Sequence, residues 1–161
     1  MQLQQQSFQY EVYNDAAELA PADAALLQKA RETTQQAYAP YSHFRVGAAA
    51  LLANGEVVTG TNQENASYPV GICAERTTLS AVASLFPGMA IQTLAISYFN
   101  ELGQSGHPIT PCGICRQSLT EHEQRTSTPI RLIMAGQTGK VFIVEKASQL
   151  LPFSFSNEDM L

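Results

Sequence analysis

All three cysteines of this chain fall in two short motifs, Cys73-Ala74-Glu75 and Pro111-Cys112-Gly113-Ile114-Cys115. Each motif stands where a loop turns into an expected helix, so a fold that uses the sulfurs together must bring two helix starts to one point. Their number is odd, and the N-terminal stretch MQLQQQSFQYEVYNDAAEL has neither the basic start nor the apolar run of a secretion signal. Thiols in a protein of that kind stay reduced and serve metal binding or catalysis rather than disulfides. No segment is apolar for long enough to span a bilayer, and a cytoplasmic protein is expected.

A C-x-x-C at a helix start keeps both sulfurs on one side of a single turn, which suits a tetrahedral zinc ion, and Cys73 supplies a third thiolate. Three protein ligands leave one position open to water, the feature that separates a catalytic zinc from a closed structural one. Glu75 lies two residues from a ligand, and the metal does not need it. Such a carboxylate fits a proton shuttle, a role typically worth about 10²- to 10⁴-fold in rate. Three thiolates make the centre negative, and two helix N-termini together with Arg76 offset that charge. Arg76 is expected to face the cluster and donate to the sulfurs, the alternative being a solvated surface charge. The competing arrangement is a closed site with His43, His107 or His122 as fourth ligand, and His107, five residues before Cys112, fits it best.

Around these motifs the chain alternates helix and strand. Residues 1–20, rich in Gln and acidic groups, read as a weakly ordered extension or an edge element with FQYEVY as a short strand. Residues 21–161 read as a single domain. A helix runs from Pro21 to before Ala39-Pro40 with Ala24, Leu27 and Ala30 on one face. A hairpin turns at Asn54-Gly55. The segment CAERTTLSAVASLF forms a helix with Leu79, Val82 and Leu85 inward, stopped by Pro87-Gly88. The strand IQTLAISYF, the helix CGICRQSLTEHEQ, the strands IRLIMAG and KVFIVE and a short helix ASQLL follow. This order implies an α/β fold, a three-layer α/β/α sandwich around a mixed five-stranded sheet.

Charge narrows the partners. Nine Lys and Arg face fourteen Asp and Glu, the basic residues are scattered, and Trp is absent. The basic grooves with stacking aromatics that bind polynucleotides are not visible, so neither nucleic acid nor membrane is an expected partner.

The run from Asn62 to Thr77, Asn-Gln-Glu-Asn-Ala-Ser-Tyr-Pro-Val-Gly-Ile-Cys-Ala-Glu-Arg-Thr, followed by Pro111 to Gln117 and preceded by Ala37-Tyr38-Ala39-Pro40-Tyr41-Ser42, resembles the small zinc-dependent cytidine deaminases. The resemblance covers most of residues 25 to 155. It implies zinc bound by Cys73, Cys112 and Cys115, with Glu75 as the acid and base. It further implies Asn62 and Glu64 on the ribose hydroxyls, Phe44 stacked on the pyrimidine, and the Ala74 amide at the carbonyl oxygen of the base. The reaction implied is hydrolysis of cytidine and 2'-deoxycytidine to the uridine nucleosides with release of ammonia, a salvage step. The resemblance also implies a homotetramer in which Tyr68 and Phe155 reach a neighbouring subunit's site.

Read without the resemblance, Asn62 and Glu64 form a turn after a strand, while Phe44, Phe153 and Phe155 pack onto their own domain. With Glu64 beside the substrate, as the resemblance implies, its carboxylate repels phosphate, so nucleosides rather than nucleotides are the expected substrates. Two other functions stand beside this one, deamination of a modified cytosine nucleoside antibiotic and a non-catalytic zinc-binding module. The first 20 residues and the stretch Asn100 to Thr110 look longer than in the short members of the family, and the second ends beside a ligand.

Overall fold

The structure is a computed structural model that describes residues 1–160. Its strands are β1 (Glu11–Tyr13), β2 (Phe44–Leu52), β3 (Val57–Thr61), β4 (Ile91–Asn100), β5 (Arg131–Ala135) and β6 (Val141–Val144). Its α-helices are α1 (Pro21–Thr33), α2 (Ala74–Leu85) and α3 (Gly113–Thr126). The strands form one sheet in the order β1-β6-β5-β4-β2-β3. Only β4 and β5 run parallel, with Thr93 opposite Arg131 and Ile96 opposite Met134, and α3 is the crossover between them.

Side chains that alternate along the strands separate two cores. Leu132 and Met134 of β5 and Leu94 and Ile96 of β4 pack with Leu79 and Val82 of α2 and Leu119 of α3. Ile133, Ala135 and Ala95 face the other way, onto Leu26, Leu27 and Ala30 of α1. Helices therefore cover both faces of a mixed sheet, as expected of a three-layer sandwich. Each fully buried leucine or isoleucine contributes about 1.5–3 kcal/mol relative to exposure.

The sheet has six strands rather than five. The added strand is β1, a three-residue edge element paired antiparallel to β6 with Val12 opposite Phe142. It lies within FQYEVY, the segment read from the sequence as a short strand or edge element, and pairing with β6 joins it to the same sheet. The second difference is Leu85, which is 67% exposed. The inward stripe of α2 runs through Glu75, Leu79 and Val82 to Phe86, because steps of four and three residues average the helical 3.6, and Leu85 falls to the rim.

Two backbone details position the first turn of α2. A Cβ on Gly60 of β3 would lie 2.6 Å from the Thr78 amide nitrogen and 3.0 Å from the Ala74 carbonyl oxygen, so glycine lets the helix sit directly on the strand. Thr78 Oγ1 donates to that same Ala74 carbonyl at 2.9 Å. The hairpin between β2 and β3 turns at Asn54-Gly55, where Gly55 has φ of 87°.

Candidate metal centre and cleft

Cys73 and Cys112 occupy the N-cap positions of α2 and α3, and neither helix has a side-chain cap hydrogen bond. Ser, Thr, Asp or Asn would normally turn an oxygen back onto the first-turn amides. Here sulfur stands in that place and stays free to bind something else. The positive ends of both helices favour thiolate there.

The two helix starts meet as the spacing requires. The Sγ atoms of Cys73 and Cys112 are 3.8 Å apart and those of Cys112 and Cys115 are 3.5 Å apart, with all three within 4.8 Å of one another. Tetrahedral zinc with Zn–S of about 2.3 Å sets its sulfurs about 3.8 Å apart, so the trio lies close to the spacing of a zinc site. Cys115 is buried, Cys73 half-buried and Cys112 exposed, which leaves the cluster open on one side.

Among the described residues no histidine joins the cluster. Nδ1 of His43 pairs with Glu101 at 3.0 Å, Nδ1 of His107 lies 2.8 Å from the Tyr98 hydroxyl, and Nδ1 of His122 accepts from Arg125 at 3.0 Å.

Electrostatics within the trio are uneven. The Cys73 thiol is lowered to about 6 by hydrogen bonding from Cys115, opposed by burial and assisted by Cys112 and the charge of Arg76. Cys115, the donor in that arrangement and the more buried of the two, is pushed upward. Glu75 is only 5% exposed, and burial raises its carboxyl above the ordinary range, with the charge of Cys73 adding to the effect.

Arg76 acts on Cys73 through its charge, yet among the described residues no hydrogen bond joins it to a sulfur. Its side chain lines a groove between α2 and α3 beside Ser80, Ser118, Glu121 and Arg125. The residue that braces the ligand-bearing turn is Arg116. Its Nε donates to the Pro111 carbonyl at 2.8 Å and its Nη1 to the Leu150 carbonyl at 3.0 Å. Its position directly after Cys115 was the available signal, although spacing alone does not give the direction of a guanidinium.

The cluster opens into a cleft of about 280 Å³ whose walls include Asn62, Glu64, Cys73, Ala74, Glu75 and Cys112. Tyr68, 74% exposed, stands at its mouth and also lines an adjoining hollow of about 340 Å³ with Tyr41 and Ser42. Burial raises the Glu64 carboxyl, but hydrogen bonds from the Ser42 hydroxyl and the Tyr41 and Ser42 amides outweigh it and hold the carboxyl below the usual range. Ala74 is fully buried, and its amide belongs to the first turn of α2, where no acceptor exists within the helix.

Phe44 is half-buried and stacks on Tyr98, with centroids 4.8 Å apart and planes 18° from parallel; it is not among the cleft walls. Phe155 is exposed, and its carbonyl accepts from Gln117 Nε2 at 2.8 Å, which ties the C-terminal segment to α3. Val46 and Ile109 also line the cleft. Nothing in their sequence context distinguishes them from ordinary core residues.

A family model described as the cytidine and deoxycytidylate deaminase zinc-binding region matches residues 21–128. A cytidine deaminase of Halalkalibacterium halodurans is 34% identical over 135 residues, covering 84% of this chain and 95% of that protein. A probable cytidine deaminase of Dictyostelium discoideum is 36% identical over 142 residues and covers 84% of each chain. The crystal structure of cytidine deaminase from Burkholderia pseudomallei superposes with a TM-score of 0.71 at 36% identity, over 81% of this chain and 97% of that one. The chain belongs to the cytidine and deoxycytidylate deaminase zinc-binding family.

Proposed function

We propose that the protein hydrolyses cytidine and 2'-deoxycytidine to the uridine nucleosides with release of ammonia, as a step of pyrimidine salvage. One observation carries this reading: three sulfurs stand at zinc spacing, and two of them, Cys73 and Cys112, share the wall of a nucleoside-sized cleft with the buried carboxyl of Glu75. A zinc ion held by Cys73, Cys112 and Cys115 supplies Lewis acidity that makes water a nucleophile near neutral pH.

The protein's own groups do the rest. Glu75 takes the proton from the attacking water and delivers it to N3 of the base as C4 becomes tetrahedral, then takes the second proton from the new C4 hydroxyl and carries it to the departing amine, leaving the C4 carbonyl of the uridine product. A carboxyl raised by burial holds its proton well enough to act as an acid and, once ionised, is a stronger base than an exposed one. The Ala74 amide holds the carbonyl oxygen of the base, and Phe44, which borders the cleft on the same face of β2 as the wall residue Val46, stacks on the ring. Ammonia leaves beside the backbone of Thr110 and Cys112.

Asn62 and Glu64 take the ribose hydroxyls. Glu64 stays ionised through its backbone and Ser42 contacts, so it accepts from hydroxyls and repels phosphate, which selects nucleosides over nucleotides. Tyr68 and Phe155 are exposed in the protomer and reach a neighbouring copy's cleft in a cytoplasmic homotetramer. Residues 21–161 are the catalytic unit and residues 1–20 an extension of it.

The test is an ultraviolet assay of the zinc-loaded protein on cytidine and deoxycytidine, with ammonia measured in parallel. Turnover of both supports the reading, and turnover of neither refutes it. Preference for a modified cytosine nucleoside in direct competition would make the protein an antibiotic deaminase. A cobalt-substituted spectrum showing four protein ligands would make it a non-catalytic zinc module.

A further inference from the structure

The geometry points to the loop of residues 101–110, seated on the turn between β5 and β6 and latched by Tyr98 and His107, as the element that sets how tightly the cleft holds its nucleoside. The inference rests on the deaminase reading and adds the positioning residues that serve it.

The loop is built against its neighbours rather than merely spanning a gap. The Ser105 carbonyl accepts from the Gln137 amide at 2.7 Å, and Ser105 Oγ accepts from the Asn100 amide at 2.9 Å. A Cβ on Gly136 would lie 2.1 Å from the Ser105 carbonyl oxygen and 2.9 Å from that of His107. A Cβ on Gly139, where φ is 78°, would lie 2.3 Å from the Gly106 carbonyl oxygen. Two glycines of the β5–β6 turn thus make room for the loop backbone, and Arg31 Nε supports the turn from below by donating to the Gly136 carbonyl at 3.0 Å.

At its cleft end the loop is latched. Tyr98 is fully buried in β4, and its hydroxyl lies 2.8 Å from Nδ1 of His107 and 3.4 Å from the Gln104 carbonyl oxygen. Gln137 Nε2 donates to the Tyr98 carbonyl at 3.0 Å, so the seat and the latch share a residue. Ile109 and Thr110, the second and third residues after His107, form part of the cleft wall, and Phe44 stacks on the ring of Tyr98. One hydrogen-bonded pair therefore supports two parts of the site: the Ile109-Thr110 wall and the ring beneath Phe44. A wall held in place before the ligand arrives costs no ordering on binding, so freeing it weakens ground-state affinity.

The experiment compares the zinc-loaded protein with His107→Ala, His107→Asn, Gly136→Ala and, as a control, Gly103→Ala, whose new methyl first meets the free end of the flexible Asn100 side chain rather than backbone. For each, KM and kcat for cytidine, zinc per chain, and hydrogen exchange of the backbone amides of residues 101–107, 109 and 110 are measured. His107 is exposed, so its variants are expected to fold even if Gly136→Ala does not. The expected result is a KM raised roughly tenfold in His107→Ala and Gly136→Ala, with kcat within about twofold, zinc content unchanged and faster exchange across the loop. His107→Asn, whose amide can replace Nδ1 at the Tyr98 hydroxyl, and Gly103→Ala should stay near the parent. Faster exchange in His107→Ala with an unmoved KM overturns the inference and leaves the deaminase reading intact. A parent protein that turns over neither nucleoside removes both.

Discussion

Asn62 and Phe44 are joined directly: Asn62 Nδ2 donates to the Phe44 carbonyl at 2.9 Å, while Oδ1 of the same side chain accepts from the Val46 amide at 2.7 Å. The amide proposed for the ribose thus also fastens the start of β2, from which the ring proposed for the base projects. Asn62→Ala leaves two backbone groups without partners and should cost about 1–3 kcal/mol of stability together with a higher KM for cytidine. Asn62→Asp keeps the acceptor for Val46 but opposes the Phe44 carbonyl, so it too should raise KM. Thermal unfolding and steady-state kinetics on both variants check this, and an unchanged melting temperature in Asn62→Ala would count against the dual role.

Glu75→Gln should lower kcat by at least about 10²-fold while zinc per chain stays at the parental level, because the carboxyl moves protons and does not hold the metal. Metal lost together with turnover would make Glu75 structural. The same variant should melt a few degrees higher than the parent near neutral pH, on the order of what relief of one buried charge produces. The sign follows from the raised carboxyl: its contribution to stability is full below the unfolded value and is lost as pH rises through the folded one. At neutral pH the native state carries that cost, and a neutral amide removes it.

The acid limb of kcat/KM should fall below a pH higher than an ordinary carboxylate would give. Burial raises the affinity of Glu75 for its proton, and the proton must leave before the residue can act as base. A pH profile on the zinc-loaded protein, with metal content verified at each pH, tests this. A limb at the ordinary carboxylate position would mean that another group is titrating.

Arg116→Ala should release zinc to a chelator roughly 10- to 100-fold faster than the parent, the range typical of groups that orient metal ligands. The guanidinium holds the Pro111 carbonyl, one residue before Cys112, against the Leu150 carbonyl of the C-terminal segment. Gln117→Ala, which cuts only the neighbouring bond to the Phe155 carbonyl, should leave zinc retention unchanged. Equal loss in the two variants would assign the effect to the C-terminal segment instead.

Truncation before Pro152 removes Phe155 and should reduce both activity and assembly, read by sedimentation and by cytidine turnover. The exposed ring then has a role beyond its own protomer. Unchanged tetramers with full activity would remove the reason for assigning one.

Local signals in the chain carried far in some places and stopped short in others. The hairpin at Asn54-Gly55 and the helices that begin after Cys73 and Cys112 were legible, because each depends on neighbours within one turn. Leu85 was misplaced because positions three apart drift around a helix, and it is Phe86 that reaches the core. Spacing points Arg76 at the sulfurs, yet it is Arg116 that braces the ligand-bearing turn; both follow a cysteine motif, and chain position alone does not aim a long side chain.

By itself the sequence determined the donor set, its thiolate chemistry and the carboxylate two residues from Cys73, since C-x-x-C and Cys-x-Glu are fixed by covalent spacing along one helical turn. Tertiary structure decided what lies between distant segments. It brought Cys73 to Cys112 across 39 residues, sent the three histidines to other partners, chose β6 as the partner of β1 and seated the 101–110 loop on Gly136 and Gly139. Local rules reach about one turn or one hairpin, whereas these contacts depend on strand order and on how closely helices and loops approach the sheet.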